Sequence, residues 1–334
     1  MPPLYIVEQG ATLSIEQRRL RVHKSGQLIA QVPLAHTTAV IIFGNATITT
    51  PAMKRLMQAG IDVVFLTQSG SYEGRLVGPL SKFGQLRHQQ YALEYDATFK
   101  LRIAQSIVQA KCLNMRTLLL RYNRDLKQEA ITAAVERLGL LAERSLRTTR
   151  LNALLGVEGS ASAAYFHVFR LLLKREWSFE KRQRRPPPDP VNVLLSFGYT
   201  LLTRDLEASV ALVGLDPYLG VLHSTEYGRP SLALDLVEEF RAIVVDSTVL
   251  RCLNMELIAP EDFSPGSSPD RPIVLSDRGK RRFIQALEDR VETSIQHPIT
   301  HETMTYRRAF EIQTRLLARC FRDCQPEYRP FLVR

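Results

Sequence analysis

The spacing of the apolar residues changes near residue 90, and this change constrains the fold more than any other feature of the sequence. Before it, apolar residues form short runs typical of strands at 4–7, 39–43 and 63–66. A turn sequence at 24–26 predicts a hairpin. Residues 51–60, which begin with proline and end with glycine, predict one short helix. We therefore predict a β-rich, sandwich-like N-terminal domain.

After residue 98 the apolar residues recur every three or four positions with almost no proline, which is the spacing of one face of a helix. Helical spacing continues through 191–213, 231–244, 278–295 and 306–323. A chain of 334 residues exceeds the roughly 250–300 at which a single core stops growing. We predict an α+β protein of two domains, a β-rich domain over 1–90 and a larger, mostly α-helical catalytic domain over 91–334.

The composition favours a polyanionic partner. Lysine and arginine number 44 against 34 acidic residues, for a net charge of +10, and such an excess is typical of proteins that bind nucleic acid. An unspecialised basic protein is the alternative. We expect no membrane span and no secretory signal, because no apolar run reaches about 18 residues and the start lacks a basic segment followed by an apolar one.

The cysteines suggest a reduced, cytoplasmic protein. The four of them are scattered without a CxxC pair. Cys320 and Cys324 would share one face of a helix, but they are a weak zinc candidate because no second pair lies nearby.

A basic segment, residues 174–185, interrupts the helical region. It contains six basic residues and the only tryptophan, Trp177, and three prolines follow it. The segment suits phosphate contacts, and its tryptophan could stack on an unpaired base. A solvated turn before a stiff connector is the alternative. The predicted DNA contacts in this segment are Lys181, Arg182, Arg184 and Arg185.

A candidate metal site lies in the second half of the chain. Glu158 stands among small residues, His223 closes an apolar run, and Asp235 and Glu238 would share one face of a helix. Carboxylate oxygens with one imidazole nitrogen suit a Mg²⁺ or Mn²⁺ ion that acts on phosphates. Spacing alone leaves three alternatives open: a solvated glutamate, a core histidine and the polar face of an amphipathic helix.

Several sequence blocks resemble a single known family. In the second half they read LLGVEGSA (154–161), DPVNVLLSFGY (189–199), LDPYLGVLH (215–223) and YGRPSLALDLVEEFR (227–241). In the first half they read LYIVEQGA (4–11), FGNATITTPA (43–52) and GIDVVFL (60–66). Taken in chain order, these blocks extend over nearly the whole sequence. Together they resemble the CRISPR-associated integrase, the endonuclease of CRISPR adaptation.

The resemblance implies a metal-dependent DNA endonuclease and integrase, which inserts short DNA fragments into a repeat array by attack of a 3′-hydroxyl on a phosphodiester. It implies that Glu158, His223 and Glu238 bind Mg²⁺ or Mn²⁺, and that Asp235 either binds the metal or orients a ligand. Further implied contacts with the DNA phosphates are a hydrogen bond from Tyr199 and phosphate clamps by Arg229 and Arg241. A core tyrosine and solvated charges are the alternatives for these three.

The resemblance also implies the partners of the chain. They are DNA, a second copy of the chain bound largely through the β-rich domain, and the small ferredoxin-like protein of the adaptation complex. Two other function classes stay open: a catalytically inactive nucleic-acid-binding scaffold and an unrelated metal-dependent phosphodiesterase.

Overall fold

The structure, a computed structural model, describes residues 3–68, 70, 72–76, 78 and 83–333. It divides into two compact units. The first contains Met1–Ser81 and Val274–Arg281, and the second contains Lys82–Ile273 and Arg282–Arg334. The boundary expected at residue 90 therefore falls within the second unit. The inclusion of 274–281 in the first unit has no counterpart in the sequence pattern.

The first unit contains two four-stranded sheets. In one, the strand order is β1 (Leu4–Ile6), β5 (Ala39–Phe43), β7 (Asp62–Leu66) and β8 (Tyr72–Leu76), and only β8 runs antiparallel to its neighbour. In the other, the order is β4 (Gln27–Pro33), β3 (Arg19–Lys24), β2 (Thr12–Glu16) and β6 (Thr47–Ile48), and only β6 runs parallel to its neighbour. The predicted hairpin at 24–26 joins β3 to β4.

One cluster of buried side chains connects both sheets and helix α1 (Thr50–Gln58). Leu13 and Leu20 come from one sheet, Val40 and Val63 from the other, and Leu56 from α1. Because strands with alternating or continuous apolar residues bury their side chains against a second layer, this arrangement confirms the β-rich, sandwich-like fold predicted for the N-terminal region.

Outside the two sheets and α1, the described chain is mostly helical, which confirms the α+β prediction. Its helices are α2 (Gly84–Ala92), α3 (Ala97–Leu126), α4 (Glu129–Arg147), α5 (Leu151–Phe169), α6 (Pro190–Val213), α7 (Ser231–Phe240), α8 (Ser247–Asn254), α9 (Asp277–Val291) and α10 (Tyr306–Asp323). Its short strands are β9 (Phe263–Ser268), β10 (Arg271–Leu275), β11 (Ser294–Gln296) and β12 (Thr303–Thr305). A π-helical segment, Arg241–Asp246, joins α7 to α8. Among the helices described, none is both long and apolar enough to cross a membrane.

Helix α3 organises the helical unit. Asp96 caps it by accepting hydrogen bonds from the backbone amides of Thr98 and Phe99. Its 30 residues contact α4, α5 and α7 along a buried apolar stripe that includes Ile103 and Ile107. A polar residue on the buried side of α3 therefore meets side chains from α5 and α7, which carry the predicted metal ligands.

Candidate active site

Two of the predicted metal ligands meet at a buried lysine. Lys111 of α3 places Nζ 2.6 Å from Oε2 of Glu238 on α7, and it also contacts Oε1 of Glu158 on α5. The side chains of Lys111 and Glu238 are each 2% exposed, and that of Glu158 is 24% exposed. We call these three residues the Lys111 cluster. No sequence pattern indicates Lys111, because its contacts come from helices that are distant along the chain.

The charges of this cluster stabilise one another. Burial alone would raise the pKa of Glu238. The opposite effect of Arg241, Lys111 and His223 is larger, and together they lower this pKa to about 2. Burial lowers the pKa of Lys111, but Glu238 and Glu158 raise it above its usual value. The glutamate and the lysine are therefore both charged at neutral pH. A second cation completes the neutralisation, because Nη2 of Arg241 lies 3.2 Å from Oε1 of Glu238.

His223 is held by Asp235. The imidazole Nδ1 donates to Oδ1 of Asp235 over 2.7 Å, because a carboxylate can only accept. The same oxygen accepts the backbone amide of His223, and Oδ2 accepts the amides of Val221 and Leu222. Asp235 is fully buried, and its four bonds use both of its oxygens. These contacts favour the orienting role for Asp235 over direct metal binding, and they leave Nε2 of His223 without a partner in the described part of the chain.

Gly220 makes this geometry possible. A Cβ at this position would lie 2.7 Å from the backbone oxygen of His223, 2.8 Å from Cβ of Ser231 and 2.9 Å from Oδ2 of Asp235. Only glycine lets the chain before His223 approach α7 closely enough for the three amide bonds. Gly220 lies within one of the sequence blocks that resemble the family, but the close contacts that require a glycine there are visible only in the structure.

Tyr199 is part of a buried polar group rather than an exposed surface. Its hydroxyl donates to Oδ1 of Asp246 over 2.5 Å, and the hydroxyl of Tyr165 donates to Oδ2 over 2.9 Å. Burial raises the pKa of Asp246 to about 6, against the effect of the two hydrogen bonds. This placement matches the core-tyrosine alternative and leaves the hydroxyl of Tyr199 committed to Asp246. The only sequence signal for Asp246 was an acidic residue within an apolar run.

The predicted phosphate-binding arginines lie in different settings. Arg241 stacks over the ring of Tyr199 at 4.6 Å, and Arg182 lies over the same ring at 5.4 Å. Arg182 also donates to Oδ1 of Asn192 and to Oγ of Ser196. Arg229 forms a 2.8 Å ion pair with a neighbouring carboxylate of an exposed loop. Arg182 and Arg241 are therefore fixed by the protein itself.

The basic segment lies near the Lys111 cluster. Partial burial lowers the pKa of Arg184, as do the nearby Arg241, Arg185 and Arg229, whereas Glu238 raises it. Five cations of the segment are exposed and remain available to a polyanion: Lys174, Arg175, Lys181, Arg184 and Arg185. Of these, Lys181, Arg184 and Arg185 were predicted as DNA contacts, and we call these three the exposed cations. The expectation for Trp177 was wrong, because its side chain is buried and packs edge-on against Phe263 at 6.1 Å. It cannot stack on a base there.

Glu239, next to Glu238 in the chain, faces the opposite way. It accepts hydrogen bonds from Tyr328, Gln313 and the backbone amide of Phe331, and burial raises its pKa to about 7.

Asn114 of α3 connects this region to the tail of the chain. Its side-chain amide group donates to the backbone oxygens of Glu239 and Phe331, and its side-chain oxygen accepts the backbone amide of Val333. The tail thus binds α3 one turn beyond Lys111.

The residues present fit a divalent cation in their chemistry. Among the described residues, no three His, Cys, Asp or Glu side chains are already arranged around one point. Two carboxylates nevertheless converge on a single buried cation, the ammonium of Lys111, and His223 is among the groups that lower the pKa of Glu238. Glu158 and Glu238, with Nε2 of His223, are the groups that would hold Mg²⁺ or Mn²⁺.

Comparison with known proteins gives the family. Residues 4–289 match the sequence model of a family described as CRISPR associated protein Cas1. A protein of Thermus thermophilus named CRISPR-associated endonuclease Cas1 3 is 37% identical over 99% of this chain and 97% of its own length. A CRISPR-associated exonuclease Cas4/endonuclease Cas1 fusion of Geobacter sulfurreducens is also 37% identical, over 100% of this chain, but the chain spans only 59% of that protein.

A solved structure agrees with this assignment. A chain of a Cas6-RT-Cas1–Cas2 complex superposes with a TM-score of 0.85 and 27% identity, covering 99% of this chain and 36% of that one. The resemblance read from the sequence blocks is thereby confirmed. This chain belongs to the Cas1 family of CRISPR-associated proteins.

Proposed function

We propose that the chain is a divalent-metal-dependent DNA endonuclease and integrase of CRISPR adaptation, which joins short DNA fragments to a repeat array. The observation that carries this proposal is the convergence of Glu158 and Glu238, from two helices, on one buried cation position near a fixed imidazole. Relatives that match this chain over its full length are named Cas1 endonucleases, which supports the same activity.

The side chains of the site have different roles in the proposed reaction. When bound, a divalent cation would activate the attacking 3′-hydroxyl and offset charge on the phosphorus centre. Asp235 holds the imidazole of His223 through Nδ1, which leaves Nε2 as the nitrogen that would bind the metal. Arg241, held by Glu238 and the ring of Tyr199, keeps a guanidinium beside the carboxylates without a large entropic cost on binding a phosphate.

DNA affinity in this proposal comes from the basic surface, not from the metal ligands. The exposed cations lie on the segment whose Arg182 shares the ring of Tyr199 with Arg241, the partner of Glu238. A strand bound along that segment would therefore pass the Lys111 cluster. In transesterification the 3′-oxygen of the fragment forms a bond to phosphorus, the bond from phosphorus to the 3′-oxygen of the target strand breaks, and the proton lost by the attacking hydroxyl is balanced by one gained on the displaced oxygen. Attack by water at the same site would give nicking.

The partners are proposed on separate observations. A chain of similar fold occurs in a Cas6-RT-Cas1–Cas2 complex, which supports assembly with other proteins. We propose that the partner of this chain is a small ferredoxin-like protein. For the homodimer, the supporting feature is β4, the outer strand of its sheet, which exposes Leu28 by 50% and Ile29 by 45%. An exposed apolar edge strand favours pairing with another chain. Light scattering at micromolar concentration would contradict the dimer if it found only the 37.9 kDa chain.

The decisive experiment measures strand joining. A labelled short duplex with a free 3′-hydroxyl is incubated with a supercoiled repeat plasmid, the ferredoxin-like partner and Mn²⁺. We expect joined product from the wild-type chain and none from Glu158→Gln or Glu238→Gln, while both variants still bind DNA. Glu143→Gln, an exposed carboxylate on α4, is the control and should retain joining.

Each alternative has its own result in the same assay. A duplex ended with a 3′-dideoxynucleotide should lose joining but leave nicking intact. Shortening of the duplex without joining would favour an unrelated phosphodiesterase. DNA binding without any reaction, in Mg²⁺ and in Mn²⁺, would favour an inactive scaffold and defeat the proposal.

A further inference from the structure

Lys111 occupies the position at which the proposed metal would bind. Its ammonium contacts a carboxylate oxygen of Glu158 and one of Glu238, and its side chain is almost fully buried. A lysine is seldom buried to this degree unless it is paired with acidic groups. These two pairs therefore fix the ammonium between the same two carboxylates that would hold a divalent cation.

The four charges of the Lys111 cluster and Arg241 balance one another without a metal ion. Glu158 and Glu238 carry two negative charges, and Lys111 and Arg241 carry two positive charges against them. A divalent cation that joined this group would lie close to an ammonium bound to the same oxygens. Repulsion at such short range within a buried site is strong, so the ion and the ammonium cannot share the position.

We propose that Lys111 is a removable counter-ion of the metal site, which holds Glu158 and Glu238 together in the metal-free protein and must leave them before a divalent cation can bind both. This inference rests on the proposed function, since it concerns the same two carboxylates. A lysine side chain has four flexible methylene groups and a compact charge, so it can withdraw without moving the helix that carries it.

The proposal predicts a coupling between metal and DNA. A phosphate that enters the site offers the displaced ammonium a new partner and lowers the cost of removing it from the carboxylates. DNA should therefore raise the affinity for metal, and metal should raise the affinity for DNA by the same factor. The coupling should disappear when residue 111 carries no charge.

The test uses Lys111→Met, which keeps an unbranched side chain, one atom shorter, and removes its charge. Lys100→Met is the matched control, because Lys100 lies on the same helix and pairs with Glu94 over 2.8 Å. Mn²⁺ binding to the full chain is measured by electron paramagnetic resonance, without and with a short duplex. We expect Lys111→Met to bind Mn²⁺ at least tenfold more tightly than wild type without DNA, and to show no further gain with DNA. The control should match wild type.

Thermal unfolding in a chelator gives a second readout. Metal-free Lys111→Met should melt below wild type, because the buried Glu238 and the partly buried Glu158 lose a counter-ion. Mn²⁺ should raise the melting temperature of the variant more than that of wild type. If Lys111→Met does not fold, Lys111→Gln replaces it. If neither folds, crystals of the wild-type chain soaked in Mn²⁺ decide the matter: the ammonium should have left at least one of the two carboxylates.

Results that overturn the inference are distinct from those that overturn the function. A folded Lys111→Met or Lys111→Gln chain with wild-type or weaker Mn²⁺ affinity refutes the inference, as does a wild-type crystal with Mn²⁺ bound and the ammonium still on both carboxylates. Strand joining by the wild-type chain in either case would leave the proposed function standing. Tight Mn²⁺ binding by the variant, with no joining by wild type, would keep the inference and defeat the function.

Discussion

Asp235→Asn should separate the orientation of His223 from the charge of the site. The substitution keeps the shape of the side chain but replaces one accepting oxygen with an amino group. In the wild-type chain each oxygen of Asp235 accepts two hydrogen bonds, from the amides of Val221 and Leu222 on one side and from His223 on the other. After substitution, two of these four donors face another donor.

The structure sets the size of the effect. A buried donor without an acceptor costs about 1–3 kcal/mol, so two of them cost about 2–6 kcal/mol of unfolding free energy. The cost falls if the amino group faces the imidazole, because His223 can then move its proton from Nδ1 to Nε2 and accept a bond instead. That change protonates the nitrogen that would bind metal. The same proton shift that limits the loss of stability therefore lowers the affinity for metal. We expect the Mn²⁺ affinity of Asp235→Asn to fall by about 10–100-fold.

Urea unfolding, Mn²⁺ affinity and strand joining measure this prediction together. The control is Asp216→Asn, because Asp216 also accepts a backbone amide, that of Tyr218, but has no bond to His223. It should leave Mn²⁺ affinity and joining unchanged. Wild-type stability and joining in Asp235→Asn would refute the argument. Lost stability with wild-type metal affinity would show that the orientation of the imidazole is not what Asp235 provides.

Three further predictions concern the surroundings of the site. Gly220→Ala should lower the unfolding free energy by about 1–3 kcal/mol and reduce joining, whereas Gly159→Ala, whose Cβ would meet open space, should do neither; equal melting temperatures would contradict this. For Glu239, the pKa of about 7 in the folded chain exceeds the usual unfolded value of about 4.3. Its contribution to stability is therefore present below pH 4 and is lost as pH rises through 7. Urea unfolding at pH 5 and 8 should show wild type losing more stability than Glu239→Gln over this interval, and equal losses would refute it. Neutralising the three exposed cations should reduce the slope of log affinity against log salt by up to about 3, and an unchanged slope would make the basic segment a simple connector.

The sequence predicted the architecture well because periodicity is a local property. The change from strand spacing to helical spacing appears in the structure as the change from two sheets to α3 and the helices that follow. Helix ends were less accurate. The segment predicted as one helix over 231–244 is α-helical only to residue 240 and continues as a π-helical segment, because apolar spacing does not distinguish the two forms.

The site was only partly predictable for a different reason. Glu158, His223 and Glu238 were found through a family resemblance, but the pairing of both glutamates with Lys111 depends on three helices that are far apart in the chain. Trp177 misled the prediction because a residue between basic neighbours reads as exposed, whereas its ring is buried against Phe263. Burial depends on tertiary packing, and local composition does not report it.

The attachment of the tail to α3 matters for anyone who labels or purifies this protein. Phe331 and Val333 are hydrogen-bonded to Asn114, one helical turn from Lys111. An affinity tag fused directly behind these residues would pull on the helix that positions the ammonium, and a domain fused there without a spacer would do the same. A fluorophore placed at that point would, for the same reason, be a sensitive reporter of any shift of α3 during metal loading.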